Sequence, residues 1–226
     1  MDRHLDDELK KLNEDLLTMA TLTEEAIHKA MEALKALDKD LARDVIIGDE
    51  RIDEYEISIE EHAIELLALF QPMAIDLRFI TTAGMRMNSE LEMIADLVVN
   101  ICQRTVQLSD MPQLKVLVNI PKLGDNAKWM VKSAIDAFVN RDEELAKKVI
   151  LSDKEVDELR TIIVHELINN YIVNDGTTAP RAIPLILIAR DLERMCDHAV
   201  AIAQDVIYML RAKMVRHHPE RLESQD

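Results

Sequence analysis

The chain has very few residues that turn or break a backbone. Its 226 residues include only four glycines and six prolines, whereas roughly one residue in eight is glycine or proline in an average protein. A β protein needs such residues at its many tight turns, so the scarcity predicts an all-α protein. The glycines are also too far apart for a P-loop or a GxGxxG fingerprint, which argues against nucleotide-binding enzyme folds. They are Gly48, Gly84, Gly124 and Gly176.

Apolar side chains recur at alternating spacings of three and four residues, which is the pattern of amphipathic helices that pack in bundles. The pattern predicts six long helices. The second and third are separated at Gln71-Pro72, because the residue before a proline is disfavoured in a helix, and Pro72 is expected in the first turn of the third helix. The predicted ranges are 5–37, 41–70, 72–109, 113–140, 142–173 and 179–214.

The two halves of the chain repeat each other. A shift of 104 residues aligns 41–54 with 145–158, and seven of these fourteen positions are identical. A shift of 101 residues aligns 89–105 with 190–206, again with several identities. The sequence therefore predicts two tandem three-helix bundles. The predicted boundaries are 1–111 for the first repeat, 112–215 for the second and 216–226 for a flexible polar tail.

Acidic residues outnumber basic ones by 43 to 27, and the formal net charge is −16. Such a charge repels nucleic-acid phosphates and anionic lipid surfaces, so we expect cations or basic proteins as partners instead. The longest uncharged run, 66–75, is too short to span a membrane. Cys102 and Cys196 lie in apolar helical patterns and are expected to be buried and reduced. These features predict a cytoplasmic protein.

Acidic pairs four residues apart occur at matching positions in both repeats. One such pair alone, for example Glu56 and Glu60, is typical of a solvated helix face. In an antiparallel hairpin, however, the repeated pairs on the second and third helices fall within about two turns of the same level. We therefore expect each repeat to gather four carboxylates. The first set is Asp49, Asp53, Glu92 and Asp96, and the second is Asp153, Asp157, Glu193 and Asp197.

Carboxylates gathered in this way repel one another, by about 4 kcal/mol per pair at 4 Å and an effective dielectric constant near 20. Cations or protons must offset the repulsion. Oxygen ligands favour hard cations such as Mg²⁺, Ca²⁺, Mn²⁺ or iron, and the lack of Cys and His at these positions argues against zinc or copper. Two alternatives stay open: an acidic groove that faces solvent or a partner, and ion pairs with Arg78, Arg86 or Arg194. His198 follows Asp197 but is expected on another face.

The acidic pairs occur together with the segments QPMAIDLR at 71–78 and LERMCDH at 192–198. With two three-helix repeats, this combination resembles the PhoU family of phosphate-transport regulators over nearly the whole chain. Members of that family fold as paired three-helix bundles and hold metal ions at E(D)xxxD motifs. The resemblance implies that the two carboxylate sets bind magnesium, manganese or iron. The two sites are expected to differ in affinity, because Met93 and Leu97 correspond to Arg194 and His198.

The resemblance also implies a function. PhoU proteins engage the ATPase subunit of the phosphate ABC transporter and the phosphate-sensing histidine kinase, restrain phosphate uptake and keep phosphate-starvation genes off when phosphate is plentiful. This implies a cytoplasmic signalling adaptor that is not an enzyme, reaches the membrane only through its partners and forms a homodimer. The alternatives are a helical scaffold without metal and a di-iron enzyme, for which only Glu25 and His28 have the Glu-x-x-His spacing.

Overall fold

The structure is a computed structural model that describes residues 2–114 and 119–216. In these ranges the chain forms helices and connecting turns and has no β-strand, which confirms the predicted all-α class. The α-helices are α1 (Asp2–Ala36), α2 (Lys39–Gly48), α3 (Glu50–Phe70), α4 (Ala74–Thr81), α5 (Asn88–Ser109), α6 (Asn119–Asn140), α7 (Glu143–Leu167) and α8 (Ala179–Arg211). Two π-helical segments, Thr82–Met87 and Ile168–Ile172, and a 3-10 turn, Gly176–Thr178, complete the described elements.

These elements combine into six long helical rods. The backbone of Asp49 is helical (φ −63°, ψ −37°), so α2 and α3 form one rod. The π-helical segment Thr82–Met87 joins α4 to α5, and Ile168–Ile172 extends α7. α1 packs against α2, α3 and α5 in the first repeat, and α8 packs against α6 and α7 in the second. The predicted pair of three-helix bundles is therefore confirmed.

The same turn joins the first two helices of each repeat. Leu37 and Arg141, which are 104 residues apart, both have a left-handed φ of 52°. The next residue caps the following helix: an Oδ1 atom of Asp38 accepts the N–H of Leu41 at 3.0 Å, and one of Asp142 accepts the N–H of Leu145 at 2.9 Å. A carboxylate at this position satisfies an N–H group that has no partner within the helix.

Two predicted helix boundaries are wrong. The third rod begins at Ala74, so Pro72 lies in the connection and not in the first helical turn. Gln71 reverses the chain with a left-handed φ of 48°, and Met73 is extended. The fourth helix is predicted from position 113, but Leu114 is not helical; residues 115–118 lie outside the described ranges, and the described part of α6 is Asn119–Asn140. Periodicity alone does not reveal that Gln71 and Met73 leave the helical conformation to turn the chain.

Charged side chains join the two repeats where α5 packs against α8. Arg86 Nη1 donates to Asp205 Oδ1 at 3.1 Å, and only 1% of the Asp205 side chain is exposed. Arg104 pairs with the buried Asp191 further along the interface. Arg86 thus pairs with Asp205 and with none of the eight predicted site carboxylates, which corrects one of the open alternatives.

The segment after α8 folds back onto this junction. The left-handed backbone of Ala212 ends the helix, and Val215 is buried. Arg216 Nη2 donates to Glu90 Oε1 at 3.3 Å and to Asp205 Oδ2 at 3.2 Å. The first residue of the predicted flexible tail is therefore held by two carboxylates, and the rest of that tail, 217–226, lies outside the described residues. Within the described ranges, no helix is long and apolar enough to cross a membrane.

We predict opposite effects for alanine at two glycines. A Cβ at Gly84 would lie 2.5 Å from Ala63 Cβ, where the second and third rods approach closely, whereas a Cβ at Gly48 would meet nothing within 4 Å. Gly84→Ala should lower the free energy of unfolding by about 1–3 kcal/mol through overpacking. Gly48→Ala should raise it by about 0.5–1 kcal/mol through helix propensity. Chemical denaturation measures both, and equal effects would contradict the close packing at Gly84.

Candidate functional site

The acidic pairs of the first repeat lie on neighbouring helices. Asp49 and Asp53 lie one turn apart at the junction of α2 and α3, where the Asp49 carbonyl oxygen accepts the N–H groups of Ile52 at 2.7 Å and Asp53 at 3.1 Å. Glu92 and Asp96 occupy successive turns of α5, which packs against α2 and α3. Asp49 and Glu92 are half-buried, whereas Asp53 and Asp96 are exposed. We call these four side chains the first cluster; it is open to solvent on one side.

Burial and mutual repulsion act together on the first cluster. Burial, together with the negative charges of Asp53 and Asp96, raises the pKa of Asp49 to about 6. Burial also raises the pKa of Glu92 to about 6, with repulsion from the rest of the cluster and from Glu56. The structure therefore brings the four predicted carboxylates of the first repeat into one electrostatic environment.

Glu56 adds a fifth carboxylate that sequence reasoning missed. It follows Asp53 by three residues on α3, and its pKa is raised by burial and by the charges of Glu60 and Asp53. Its carbonyl oxygen accepts a hydrogen bond from Asn88 Nδ2 at 2.8 Å, which ties α3 to the start of α5. The spacing of 49, 53 and 56 is that of one helix face, and this was the available signal.

The second cluster, at Asp153, Asp157, Glu193 and Asp197, has the same arrangement on α7 and α8. Burial, together with the negative charges of the other three carboxylates of the cluster, raises the pKa of Asp153 to about 6. Burial is also the main cause of the raised pKa values of Glu193 and Asp197. The Oδ1 atom of Asp153 is buried and has no hydrogen-bond partner, an arrangement that leaves an acceptor free for a cation or a proton donor.

Arg160 distinguishes the second cluster from the first. Its Nη2 atom donates to Glu193 Oε1 at 3.2 Å, and its charge lowers the pKa values of both Glu193 and Asp197, against the effect of burial. The charge of Arg194 also lowers the pKa of Asp197. His198 does not join the cluster, because its Nδ1 atom contacts Glu90 Oε2 on α5 at 2.7 Å. Sequence reasoning named Arg194 but missed Arg160.

The two cysteines lie behind the clusters and are both free and buried. Burial, together with the nearby charge of Asp49, raises the pKa of Cys102 to about 12. Burial and the carboxylates of the second cluster raise the pKa of Cys196 well above its usual value. Both thiols therefore stay protonated near neutral pH, and a protonated thiol is a poor metal ligand. The donors that face outward are carboxylate oxygens.

The chemistry of the donors fits hard cations. Carboxylate oxygens suit Mg²⁺, Mn²⁺ and iron, and they suit zinc or copper less well. In 2–114 and 119–216, no three histidine, cysteine or acidic side chains are arranged to hold a metal ion. The clusters are thus open arrays of carboxylate oxygens, and not closed coordination shells; the raised pKa values within them belong to Asp49, Glu92, Asp153, Glu193 and Asp197.

Comparison with known proteins identifies the family. The family model described as the PhoU domain matches the chain twice, over residues 16–105 and 120–206. A phosphate-specific transport system accessory protein PhoU homologue from Aquifex aeolicus is 40% identical over 210 residues, which cover 93% of this chain and 94% of that protein. The PhoU protein of Escherichia coli K12 is 30% identical over 210 residues, covering 93% and 86% of the two chains.

Solved structures agree with this assignment. The crystal structure of PhoU from Pseudomonas aeruginosa superposes with a TM-score of 0.89 at 33% identity and covers 92% of this chain and 99% of that one. The phosphate transport system regulatory protein PhoU from Streptococcus pneumoniae has a TM-score of 0.85 at 26% identity, with coverages of 93% and 99%. The resemblance noted in the sequence is confirmed by these matches: the chain belongs to the PhoU family.

Proposed function

We propose that this protein is a regulatory accessory protein of a phosphate-specific transport system and that it binds cations at its two carboxylate clusters. The names of its relatives support the first part, since proteins that match nearly the whole chain are called accessory or regulatory proteins of phosphate transport. The observation that carries the second part is the recurrence of a half-buried carboxylate cluster with raised pKa values in both repeats.

Cations offer the simplest relief for the repulsion within each cluster. At pH 7, carboxyl groups whose pKa is about 6 are mostly ionised, so negative charges face one another in a partly desolvated groove. In the proposal, magnesium, manganese or iron neutralises them and braces the helices that carry them. The ligands would be Asp49, Asp53, Glu92 and Asp96 in the first repeat and Asp153, Asp157, Glu193 and Asp197 in the second.

In this proposal the protein works in the cytoplasm as a homodimer and is not an enzyme. It engages the ATPase subunit of the phosphate ABC transporter and a phosphate-sensing histidine kinase, and it reaches the membrane only through them. A di-iron enzyme is less well supported. His28, from the one Glu-x-x-His spacing, has its Nδ1 atom 2.9 Å from Lys128 Nζ, and this pair belongs to neither carboxylate cluster.

We predict that the second cluster loses its metal in the Glu193→Ala/Asp197→Ala variant. Elemental analysis of protein purified without chelator or affinity tag should then give about half the metal per chain, because the first cluster is intact. The matched control is Glu158→Ala, an exposed acid on α7, which should keep the full metal content. Absence of stoichiometric metal from the wild-type protein, with no change in melting temperature when Mg²⁺ or Mn²⁺ is added, would refute the metal part.

The raised pKa values also predict an unusual pH dependence in chelator-treated protein. A carboxyl group whose pKa is higher in the folded state than in the unfolded chain binds more protons when folded, so stability falls as pH rises through that range. For Asp49, Glu92 and Asp153 the range extends from about pH 4 to about pH 6. We expect the melting temperature to fall from pH 5 to about pH 6, the upper part of this range, and Mg²⁺ to restore it.

The variant Asp49→Asn/Glu92→Gln/Asp153→Asn should remove most of this pH dependence. Its control, Asp44→Asn/Glu54→Gln/Glu158→Gln, neutralises three exposed acids on α2, α3 and α7 and should leave the dependence in place. A melting temperature of the wild-type protein that rises steadily from pH 5 to pH 7 in chelator would contradict the repulsion within the clusters.

The regulatory role has a separate test in the source organism. Deletion of the gene should switch on phosphate-starvation genes in phosphate-rich medium, as measured by transcript levels, and the wild-type gene should restore repression. Unchanged transcript levels would refute the regulatory role whatever the metal content is. A variant with all eight cluster carboxylates replaced distinguishes the scaffold alternative: if it still binds its partners as the wild type does, the clusters have no part in signalling.

A further inference from the structure

At the edge of each cluster, one pair of equivalent positions carries opposite charges in the two repeats. The shift of 104 residues that aligns Asp49 with Asp153 and Asp53 with Asp157 also aligns Glu56 with Arg160. In each repeat this side chain lies one turn beyond the acidic pair, on the same helix face. The second repeat thus has the same four carboxylates as the first. At the edge of the cluster, however, it has the positive charge of Arg160 where the first repeat has the negative charge of Glu56.

Both side chains act on the carboxylates across the groove. Glu56 repels Glu92 of α5 in the first repeat. Arg160 instead donates to Glu193 of α8, the counterpart of Glu92, with 3.2 Å between Nη2 and Oε1. Among the described residues, the groups that act on Asp49 and Glu92 are all carboxylates. The second cluster therefore contains a fixed cation that the first lacks.

We propose that Arg160 serves as a built-in counter-ion that makes the second cluster the weaker cation site, whereas Glu56 makes the first cluster the stronger one. The proposal rests on the proposed function, because it requires that both clusters bind cations. The guanidinium of Arg160 satisfies part of the negative charge before any metal binds, and a metal that uses Glu193 must compete with this ion pair. The clusters should accordingly fill in order, the first before the second.

Two further basic residues of the second repeat also favour the ionised form of a cluster carboxylate. Arg194 and His198 stand where the first repeat has Met93 and Leu97, and both lower the pKa of Asp197. Arg194 is exposed and His198 contacts Glu90, so their influence is through space. Arg160 is the basic residue with a direct hydrogen bond to a cluster carboxylate, and it is therefore expected to have the largest effect on affinity.

The test measures Mn²⁺ binding to each cluster separately. In the full chain, Glu193→Ala/Asp197→Ala leaves the first cluster, and Glu92→Ala/Asp96→Ala leaves the second. Free Mn²⁺ is followed by electron paramagnetic resonance, and circular dichroism checks the fold of each variant. We expect the first cluster to bind Mn²⁺ about tenfold more tightly than the second, the difference expected for roughly one charge-assisted hydrogen bond.

Charge-reversing substitutions at Arg160 and Glu56 then test whether these two residues cause the difference in affinity. In the variant that retains the second cluster, Arg160→Glu should tighten Mn²⁺ binding about tenfold, and Arg160→Gln should give a smaller gain. In the variant that retains the first cluster, Glu56→Arg should weaken it. The control Lys154→Glu makes the same change of charge at an exposed position on α7. It should have little effect, because exposed charges are screened by salt.

Each outcome decides the proposal. Equal Mn²⁺ affinities at the two clusters, or equal gains for Arg160→Glu and Lys154→Glu, would overturn the role of Arg160 and leave the metal sites of the proposed function standing. Failure of both clusters to bind Mn²⁺ in the wild-type chain would overturn the metal part of the proposed function and this inference with it. If Arg160→Glu unfolds without metal, Arg160→Gln decides the question through the same binding measurement.

Discussion

The close packing of two acidic helices in each repeat is the constraint on which the rest of the structure depends. Where the second and third rods of the first repeat meet, the side chains are small, and Ala63 and Gly84 leave no space for another methyl group. Asp49 and Glu92, which lie on these two packed rods, are half-buried. Burial and mutual repulsion follow from this packing, and the proposed cation sites follow from both.

The junction between the repeats depends on a different interaction. α5 packs against α8 through apolar side chains, but charged groups are buried among them, including Asp205 with Arg86 and Arg216. Apolar contacts alone tolerate sliding of one helix along another. A slide of one turn here would separate buried charges from their partners, which is strongly unfavourable. These ion pairs thus specify how the two bundles sit against each other.

Much of this architecture could be predicted from the sequence because its causes are local or repeated. Helical periodicity and the scarcity of glycine predict the six rods. The matching acidic pairs predict that four carboxylates gather in each repeat. The errors arose where neighbours in space decide the outcome. In the sequence Glu56 resembles an ordinary exposed acid and Arg160 an ordinary basic residue, because their positions at the edges of the clusters depend on how α3 meets α5 and how α7 meets α8. From the sequence, Arg86 is a candidate ion-pair partner for the cluster carboxylates, but in the folded protein it pairs with Asp205.

The sequence by itself determined the helical class, the internal repeat and the eight repeated carboxylates, since spacing along a helix decides which side chains share a face. It also carried the resemblance to the PhoU family. Only the tertiary structure decided which of those carboxylates are half-buried and have raised pKa values. It also decided which basic side chain pairs with which acidic one. Burial and charge pairing are set by distances between helices, and spacing along a single helix does not determine those distances.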